Sequence, residues 1–230
     1  MKSGGNDPTY SIDAMGWGSV ELEPEVRDWL EELPTADFAR AAFYIDLLAG
    51  RGVLLGEPHS RQLDGKLREL RFYLERDAVR VTYWIASDRR IILLTVFRKT
   101  RMREDREVER ARRAFERCVA ERHIVNEGGR AMSDRLDWND LRERRMTEPG
   151  AAETYEATRI AFELGQEVRH LREGHGWSQS QLARAAGMTQ SAVARFEAGG
   201  TVPTLPVLER LARALDRRLD VRFTPNADAA

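Results

Sequence analysis

Apolar residues in the first part of the chain recur every three or four positions, which is the period of an amphipathic helix. The pattern predicts a short strand over residues 20–22, a helix that begins at Pro24 and a second helix over residues 35–49. Proline is tolerated at the first turn of a helix, because the backbone N–H that it lacks has no partner there. A further amphipathic helix is expected over residues 104–122.

Between these helices, after a glycine-rich turn and loop, the apolar period changes to two residues. Three alternating runs predict β-strands over residues 67–74, 79–85 and 91–97, and the polar segments between them are short enough for hairpins. In the first strand Leu70 and Phe72 are expected on one face, and Glu69, Arg71 and Tyr73 on the other. Helices combined with a small antiparallel sheet predict an α+β domain over residues 15–122.

Residues 123–158 are expected to form a linker with one short helical segment. A glycine pair and a Pro-Gly step interrupt regular structure on the two sides of residues 136–146. This segment carries Trp138 and Leu141, and we expect it to lie against the first domain. Met132 has the surroundings of a start residue, which indicates that two adjacent reading frames have been fused.

Four short helices with apolar faces predict an all-α domain over residues 159–223. Ser178 and Gln181 have the spacing of a capping box that begins the second helix, and Thr189 and Thr204 are the expected N-caps of the third and fourth. Ala183 is small enough to let the second and third helices cross at a steep angle. One face of the third helix is then left to enter a DNA major groove.

This domain resembles the phage-repressor (Cro/C1-type, or XRE) helix-turn-helix family. The segments that carry the resemblance are Gln181-Leu182-Ala183, Gly187-Met188-Thr189-Gln190-Ser191, Arg195-Phe196-Glu197 and Pro203-Thr204-Leu205. The resemblance implies DNA binding, usually as a homodimer on a palindromic site, here the operator of the chain's own operon. It also implies that Gln179 contacts a phosphate and that Thr189, Gln190, Ser191 and Arg195 face the groove.

The residues after the fourth helix bear on how such a homodimer would form. Leu219, Val221 and Phe223 alternate with polar residues. The alternation fits a strand for dimer pairing, and a frayed tail is the alternative.

Charge is unevenly distributed, although the chain as a whole has a formal net charge of −1. Residues 7–57 hold 3 basic and 11 acidic side chains, whereas residues 61–103 hold 12 basic and 5 acidic ones. A basic segment of this size indicates either a surface for a polyanion or a solvated face of the domain.

The basic strand region resembles the phage-derived RelE-like toxin family that includes HigB. The segments that carry the resemblance are Gly65-Lys66-Leu67-Arg68-Glu69-Leu70-Arg71, Arg80-Val81, Ile92-Leu93-Leu94 and Phe97-Arg98-Lys99-Thr100. Toxins of this family are often encoded next to a HigA-type helix-turn-helix antitoxin, whose features the second domain shows. The resemblance implies ribosome-dependent cleavage of messenger RNA, suppressed by an antitoxin that also represses its own operon.

The residue types of this region suit RNA cleavage without a metal. That reaction needs a base for the 2′-hydroxyl, cations for the phosphate and a proton donor for the leaving oxygen. Arg71 and Arg80, on neighbouring strands, are expected to bind the phosphate. Lys99 is the candidate base, because the cations beside it in the sequence favour its neutral form. Tyr73 would stack on a base or relay a proton.

Further cations of the same region are expected to contact RNA, and each group of cations has a structural alternative. Arg71 would form a cross-strand ion pair with Glu69, Arg80 would simply be exposed, and the run from Arg98 to Arg103 would be the solvated start of a helix. The expected RNA contacts are Lys66, Arg68, Arg98 and Arg101.

The sequence also departs from the toxin family. Thr95 stands where many relatives carry a histidine, and the proline that usually follows the basic run is absent at Arg103-Glu104. These departures support a second hypothesis, a transcription regulator whose first domain is catalytically inactive and mediates assembly. A third is a module that binds single-stranded RNA without cleaving it.

Metal, cofactor and membrane binding are not indicated by the sequence. Cys118 is the only cysteine, and the four histidines lack metal-ligand spacing, so neither a metal nor a cofactor is expected. No apolar run approaches the roughly 18 residues of a membrane span, and residues 1–14 are too polar for a signal peptide. We expect a cytoplasmic protein.

Overall fold

The computed structural model describes residues 16–75, 77–99, 104–125 and 136–222. These residues fall into two compact units, the first of which ends at Tyr155 while the second begins at Glu156. None of the described helices is both long and apolar enough to cross a membrane.

Among the described residues, the first unit contains a six-stranded sheet. Its strands are β1 (Ser19–Leu22), β2 (Ser60–Asp64), β3 (Leu67–Leu74), β4 (Asp77–Ile85), β5 (Arg90–Arg98) and β6 (Leu136–Asp137). They lie in the order β2-β3-β4-β5-β1-β6. Because β1 runs parallel to β5 while the other neighbouring pairs are antiparallel, the sheet is mixed, whereas the sequence predicted an antiparallel one.

Helices cover both faces of this sheet, so the predicted α+β class is confirmed. They are α1 (Pro24–Glu32), α2 (Thr35–Arg51), α3 (Glu104–Val125) and α4 (Trp138–Met146), and α5 (Ala151–Gly174) begins here and continues into the second unit. On one face, Tyr44 of α2 stacks on Phe72 of β3 with ring centroids 5.1 Å apart. On the other, Ala111 and Cys118 of α3 pack in a buried cluster with Trp84 of β4.

The three strands predicted from alternation are confirmed, and their ends differ from the predicted ones by at most two residues. β2 is a correction, because a loop was expected there. It is an edge strand with exposed Arg61, Gln62 and Asp64 side chains. No apolar alternation therefore marks it, and only its hydrogen bonds to β3 make it a strand.

The segment after residue 135 is an integral part of the first unit. Its first two residues pair with β1 as strand β6, where the sequence predicted the start of a helix. Trp138 and Leu141 are buried, as expected for a segment that lies against the domain. The Asp46 carboxylate of α2 accepts hydrogen bonds from Trp138 Nε1 at 2.8 Å, Arg142 Nε at 2.7 Å and the Tyr155 hydroxyl at 2.9 Å.

Arg145 of α4 fixes the same segment to the end of α1. Its guanidinium donates to the carbonyl oxygens of Leu30, Glu31 and Leu33 at 2.8, 2.9 and 2.8 Å. These carbonyls lie at the C-terminal end of the helix, where a cation is favourable. The guanidinium also lies 4.5 Å from the centroid of the Phe38 ring, within the range of a cation–π contact.

The second unit consists of the rest of α5 followed by α6 (Gln179–Ala185), α7 (Gln190–Glu197) and α8 (Leu205–Ala214). Ser178 and Gln181 form the predicted capping box of α6. The predicted N-cap of α7 is confirmed too, since Thr189 Oγ1 accepts a hydrogen bond from the Ala192 backbone N–H at 3.2 Å. The four helices occur as predicted, although α5 begins inside the segment that was expected to be a linker.

One glycine determines how closely α5 approaches α7. A Cβ atom at Gly165 would lie only 2.5 Å from the backbone oxygen of Phe196, so any larger residue would push the two helices apart. The core that they enclose with α6 and α8 is apolar and includes Val168, Leu182, Val193 and Leu211.

The tail after α8 does not form the strand that was one of the two predicted possibilities. Residues 217–222 are irregular, and Leu219 has no strand partner within the described part of the chain. Phe223, the last residue of the predicted strand, lies outside the described residues.

We expect Trp138→Ala to lower the free energy of unfolding of the first unit by about 3–5 kcal/mol, since it empties a buried site between α2 and α4 and removes one donor to Asp46. Urea denaturation followed by circular dichroism measures the change. The control is Leu54→Ala, because Leu54 is 80% exposed and its truncation is expected to change stability by at most about 0.5 kcal/mol. Equal midpoints for both variants would contradict the integral role of the segment.

Candidate functional site

The four candidate catalytic residues lie on one face of the sheet. Arg71 of β3 is directly opposite Arg80 of β4. In the next row Tyr73 is opposite Ala78, whose carbonyl oxygen accepts a hydrogen bond from the Lys99 backbone N–H at 2.8 Å. Because side chains alternate along a strand, this register puts all four on the face that α3 also packs against. The structure thus brings together the residues that the sequence analysis grouped.

A buried carboxylate lies between the two arginines. Glu69 is 5% exposed, and its Oε1 accepts a hydrogen bond from Arg71 Nε at 2.6 Å. Its Oε2 lies 3.9 Å from Arg80 Nε. The more exposed carboxylate of Glu57 lies 3.8 Å from Arg71 Nη1. The ion pair that was the alternative interpretation of Arg71 therefore exists, although it joins two residues of β3 and does not cross strands, and it occurs within the same cluster as the arginine pair.

The residues expected to make further RNA contacts are more dispersed. Lys66 is exposed in the turn between β2 and β3. Arg68 lies on the opposite face of β3 from Arg71, by strand alternation. Arg98 lies opposite Val79, also on the other face, and pairs with Asp77 at 3.0 Å. It is therefore directed away from Lys99, so Arg98 does not provide the neighbouring cation that the sequence analysis expected beside Lys99.

Arg101, the remaining expected RNA contact, lies outside the described residues. Thr95, the position where many relatives of the resembled family carry a histidine, is buried. Its hydroxyl lies 2.7 Å from that of Thr82, in the row of the sheet next to Glu69. A side chain at this position is therefore packed beside the arginine cluster and is not exposed at its surface.

In the second unit, the residues expected to contact DNA cluster at the start of α6 and along α7. Thr189, Gln190 and Ser191 are exposed, and Thr189 and Ser191 hydroxyls lie 3.1 Å apart. Arg195 follows Ser191 by four residues, which places both on one side of the helix. Gln179, the first residue of α6, lies next to this surface, since its Oε1 accepts a hydrogen bond from Gln190 Nε2 at 2.9 Å.

A buried ion pair anchors these glutamines. Arg172 of α5 donates from Nε to Glu197 Oε1 at 2.6 Å and from Nη2 to Oε2 at 2.8 Å. The hydrogen bonds with Glu197 are the main cause that raises the pKa of Arg172, so the guanidinium remains charged. Glu197 Oε2 also accepts from Gln179 Nε2 at 3.0 Å. A chain of hydrogen bonds thus runs from the core of the unit to Gln190 at its surface.

Two protein families match the chain. Residues 28–116 match the family described as phage-derived protein Gp49-like, and residues 163–222 match a helix-turn-helix domain. The chain joins a Gp49-like domain to a helix-turn-helix domain. The phage-derived and helix-turn-helix classes are thereby confirmed, while the closer likeness to HigB and HigA stays a prediction.

A curated protein is similar to a short stretch of the chain. A candidate HTH-type transcriptional regulatory protein of Pyrococcus abyssi (strain GE5 / Orsay) is 38% identical to the chain over 55 residues. The match covers 24% of this chain and 17% of that protein. Because the chain spans so little of its relative's length, the likeness concerns one domain and not the whole architecture.

Sequence reasoning missed the structural roles of two acidic residues in these domains. Glu197 of the helix-turn-helix domain was noticed only as part of a motif, although its position four residues after the core residue Val193, on the same helix face, is a signal for burial. Asp46 of the first unit lies on α2, a helix that was predicted from its apolar pattern. Nothing in the sequence near Asp46 indicates its three hydrogen-bond partners. Long-range contacts define both roles.

We expect Glu197→Ala to lower the stability of the helix-turn-helix domain by about 3–5 kcal/mol, because it leaves the Arg172 guanidinium buried without its counter-charge. Differential scanning calorimetry of the full chain measures the loss as a lower transition temperature of this domain. Glu156→Ala is the matched control. Glu156 pairs with Arg159 at the surface, where such pairs contribute about 0.2–1 kcal/mol. Similar losses in both variants would show that burial of the pair has no special weight.

Proposed function

We propose that the chain is a type II toxin–antitoxin pair on one polypeptide that acts in the cytoplasm. The Gp49-like domain is a HigB-like, ribosome-dependent messenger-RNA endoribonuclease. The helix-turn-helix domain is a HigA-like, XRE-type antitoxin that neutralises it and represses its own operon, bound as a homodimer to a palindromic operator. The observation that carries the proposal is the direct opposition of Arg71 and Arg80 beside Tyr73 and Lys99.

The arrangement supplies the groups that RNA cleavage requires. The 2′-oxygen attacks the neighbouring phosphorus as a base takes its proton, the bond from phosphorus to the 5′-oxygen breaks, and that oxygen receives a proton. Arg71 and Arg80 would stabilise the charge on the phosphate oxygens. Lys99 would take the proton of the 2′-hydroxyl, and Tyr73 would stack on a base or deliver the proton to the leaving oxygen.

The docked segment explains how the two proposed partners stay together. Residues 136–155 contact α1, α2 and β1, whereas the candidate catalytic residues lie on β3, on β4 and just after β5. The Asp46 carboxylate of α2 accepts hydrogen bonds from this segment, and Arg145 within the segment donates hydrogen bonds to the end of α1. Covalent linkage keeps the antitoxin at an effective concentration in the millimolar range. The antitoxin therefore cannot dissociate from its toxin by dilution.

The toxin claim is tested by growth after induction of the full chain and of a fragment that ends at residue 158, which retains β6 and α4. We expect arrest by the fragment but not by the full chain. Arg71→Ala combined with Arg80→Ala in the fragment should reduce messenger-RNA cleavage about 100-fold or more, because both phosphate donors are lost. Primer extension on messenger RNA from the induced cells measures the cleavage.

If the fragment is soluble and folded but neither arrests growth nor cleaves messenger RNA, the proposed nuclease activity is wrong. The chain would then be a transcription regulator with a catalytically inactive assembly domain, the function that the altered position Thr95 favours.

For DNA binding, we expect Gln190→Ala to weaken binding to the chain's own promoter by about 1–3 kcal/mol, the cost of one lost base contact. Arg195→Ala should have an effect in the same range. Electrophoretic mobility shifts at fixed salt measure both, with Arg169→Ala on α5 as the control that removes a positive charge elsewhere. Unchanged affinity in both variants would place the recognition surface on another part of the domain.

A further inference from the structure

The two arginines of the Gp49-like domain share a carboxylate that neutralises part of their charge. Arg71 and Arg80 are directly opposite each other on adjacent strands, an arrangement that like charges disfavour. Glu69 compensates for this repulsion, because each of its carboxylate oxygens faces the Nε side of one arginine. The Glu69 side chain is only 7% exposed, so water screens these contacts little.

The geometry leaves one side of the Arg71 guanidinium paired only with an exposed carboxylate, whereas Arg80 Nη1 donates to the Val79 carbonyl oxygen at 2.9 Å. Glu69 Oε1 accepts from Nε and contacts Nη2 of Arg71, both at 2.6 Å. Arg71 Nη1 is directed to Glu57 instead, at 3.8 Å and with that carboxylate 63% exposed. A phosphate can replace Glu57 at little cost, because an exposed pair at this distance contributes little. Replacing Glu69 would leave a buried carboxylate without a partner, which is strongly unfavourable.

We propose that Glu69 is a positioning residue that also restrains RNA binding. Its carboxylate contacts the Nε atoms of Arg71 and Arg80 and so orients both guanidinium groups. Its negative charge keeps the affinity of the arginine pair for a free phosphodiester low. This inference rests on the proposed function and deepens it, since it names a residue that sets the affinity of the proposed RNA face.

The test is the binding of a fluorescein-labelled single-stranded RNA of 12 nucleotides to the full chain, measured by fluorescence anisotropy at several salt concentrations. Unlabelled duplex DNA in excess occupies the helix-turn-helix domain. We expect E69Q to bind RNA about threefold to tenfold more tightly, since an opposing charge next to the phosphate is removed. The slope of log affinity against log salt should steepen by about 0.7, the value for one more phosphate contact on a single strand.

A double-mutant cycle separates action through the arginines from other effects. In a chain that carries Arg71→Ala and Arg80→Ala, E69Q should no longer tighten binding. The matched control is E21Q, which removes a carboxylate paired with Arg90 at 3.3 Å on β1, at a distance of two strands from β4. It should leave the affinity for RNA unchanged.

The outcomes distinguish the inference from the function on which it rests. If the arginine double variant binds RNA as the unmodified chain does, the proposed RNA face is wrong. If the double variant binds RNA more weakly but E69Q does not tighten binding, the proposed RNA face is supported and the restraining role of Glu69 is overturned. If E69Q unfolds, as melting would show, E57Q takes its place: a tightening of about twofold supports competition with phosphate, and no tightening overturns it.

Discussion

The antiparallel register of β3 and β4 is the constraint on which the candidate chemistry of the first unit depends. It sets Arg71 opposite Arg80 and Glu69 opposite Thr82. A shift by one residue would move every one of these side chains to the opposite face, where α2 packs. The apolar residues that alternate with them, such as Phe72 under the ring of Tyr44, hold the register by burial. The charged cluster is therefore positioned by the hydrophobic core beneath it.

The same core is completed by residues that are distant in sequence. Asp46 receives hydrogen bonds from Trp138, Arg142 and Tyr155, so one carboxylate joins α2 to α4 and to the start of α5. Burial, followed by the nearby charge of Asp46, raises the pKa of Tyr155, and its hydroxyl remains a donor at any physiological pH. Met132, where the sequence indicated a junction of two reading frames, lies outside the described residues. Residues 136–155, which follow it, are part of the first unit.

The helix-turn-helix domain has a different balance between local and distant contacts. Its caps at Ser178 and Thr189 involve residues only three positions apart, so the sequence shows them directly. The chain of hydrogen bonds from Arg172 through Glu197 to the surface glutamines instead crosses three helices. It connects the core to the surface that is expected to contact DNA. The orientation of α7 is therefore fixed by hydrogen bonds to the core and not by its surface residues alone.

The sequence alone determined the class of both domains, most helix and strand boundaries and the helix caps, because each depends on local periodicity, capping or strand alternation. It placed Arg71 and Arg80 on neighbouring strands, whereas their direct opposition depends on the register of β3 and β4. It did not reveal β2, β6 or the parallel pairing of β1, since hydrogen bonds between distant backbones create these and no side-chain pattern marks them. The tertiary structure alone decided that Glu69 lies between the arginines while Arg68 and Arg98 face away. Which charges become neighbours depends on register and burial, and those are properties of the packed chain as a whole.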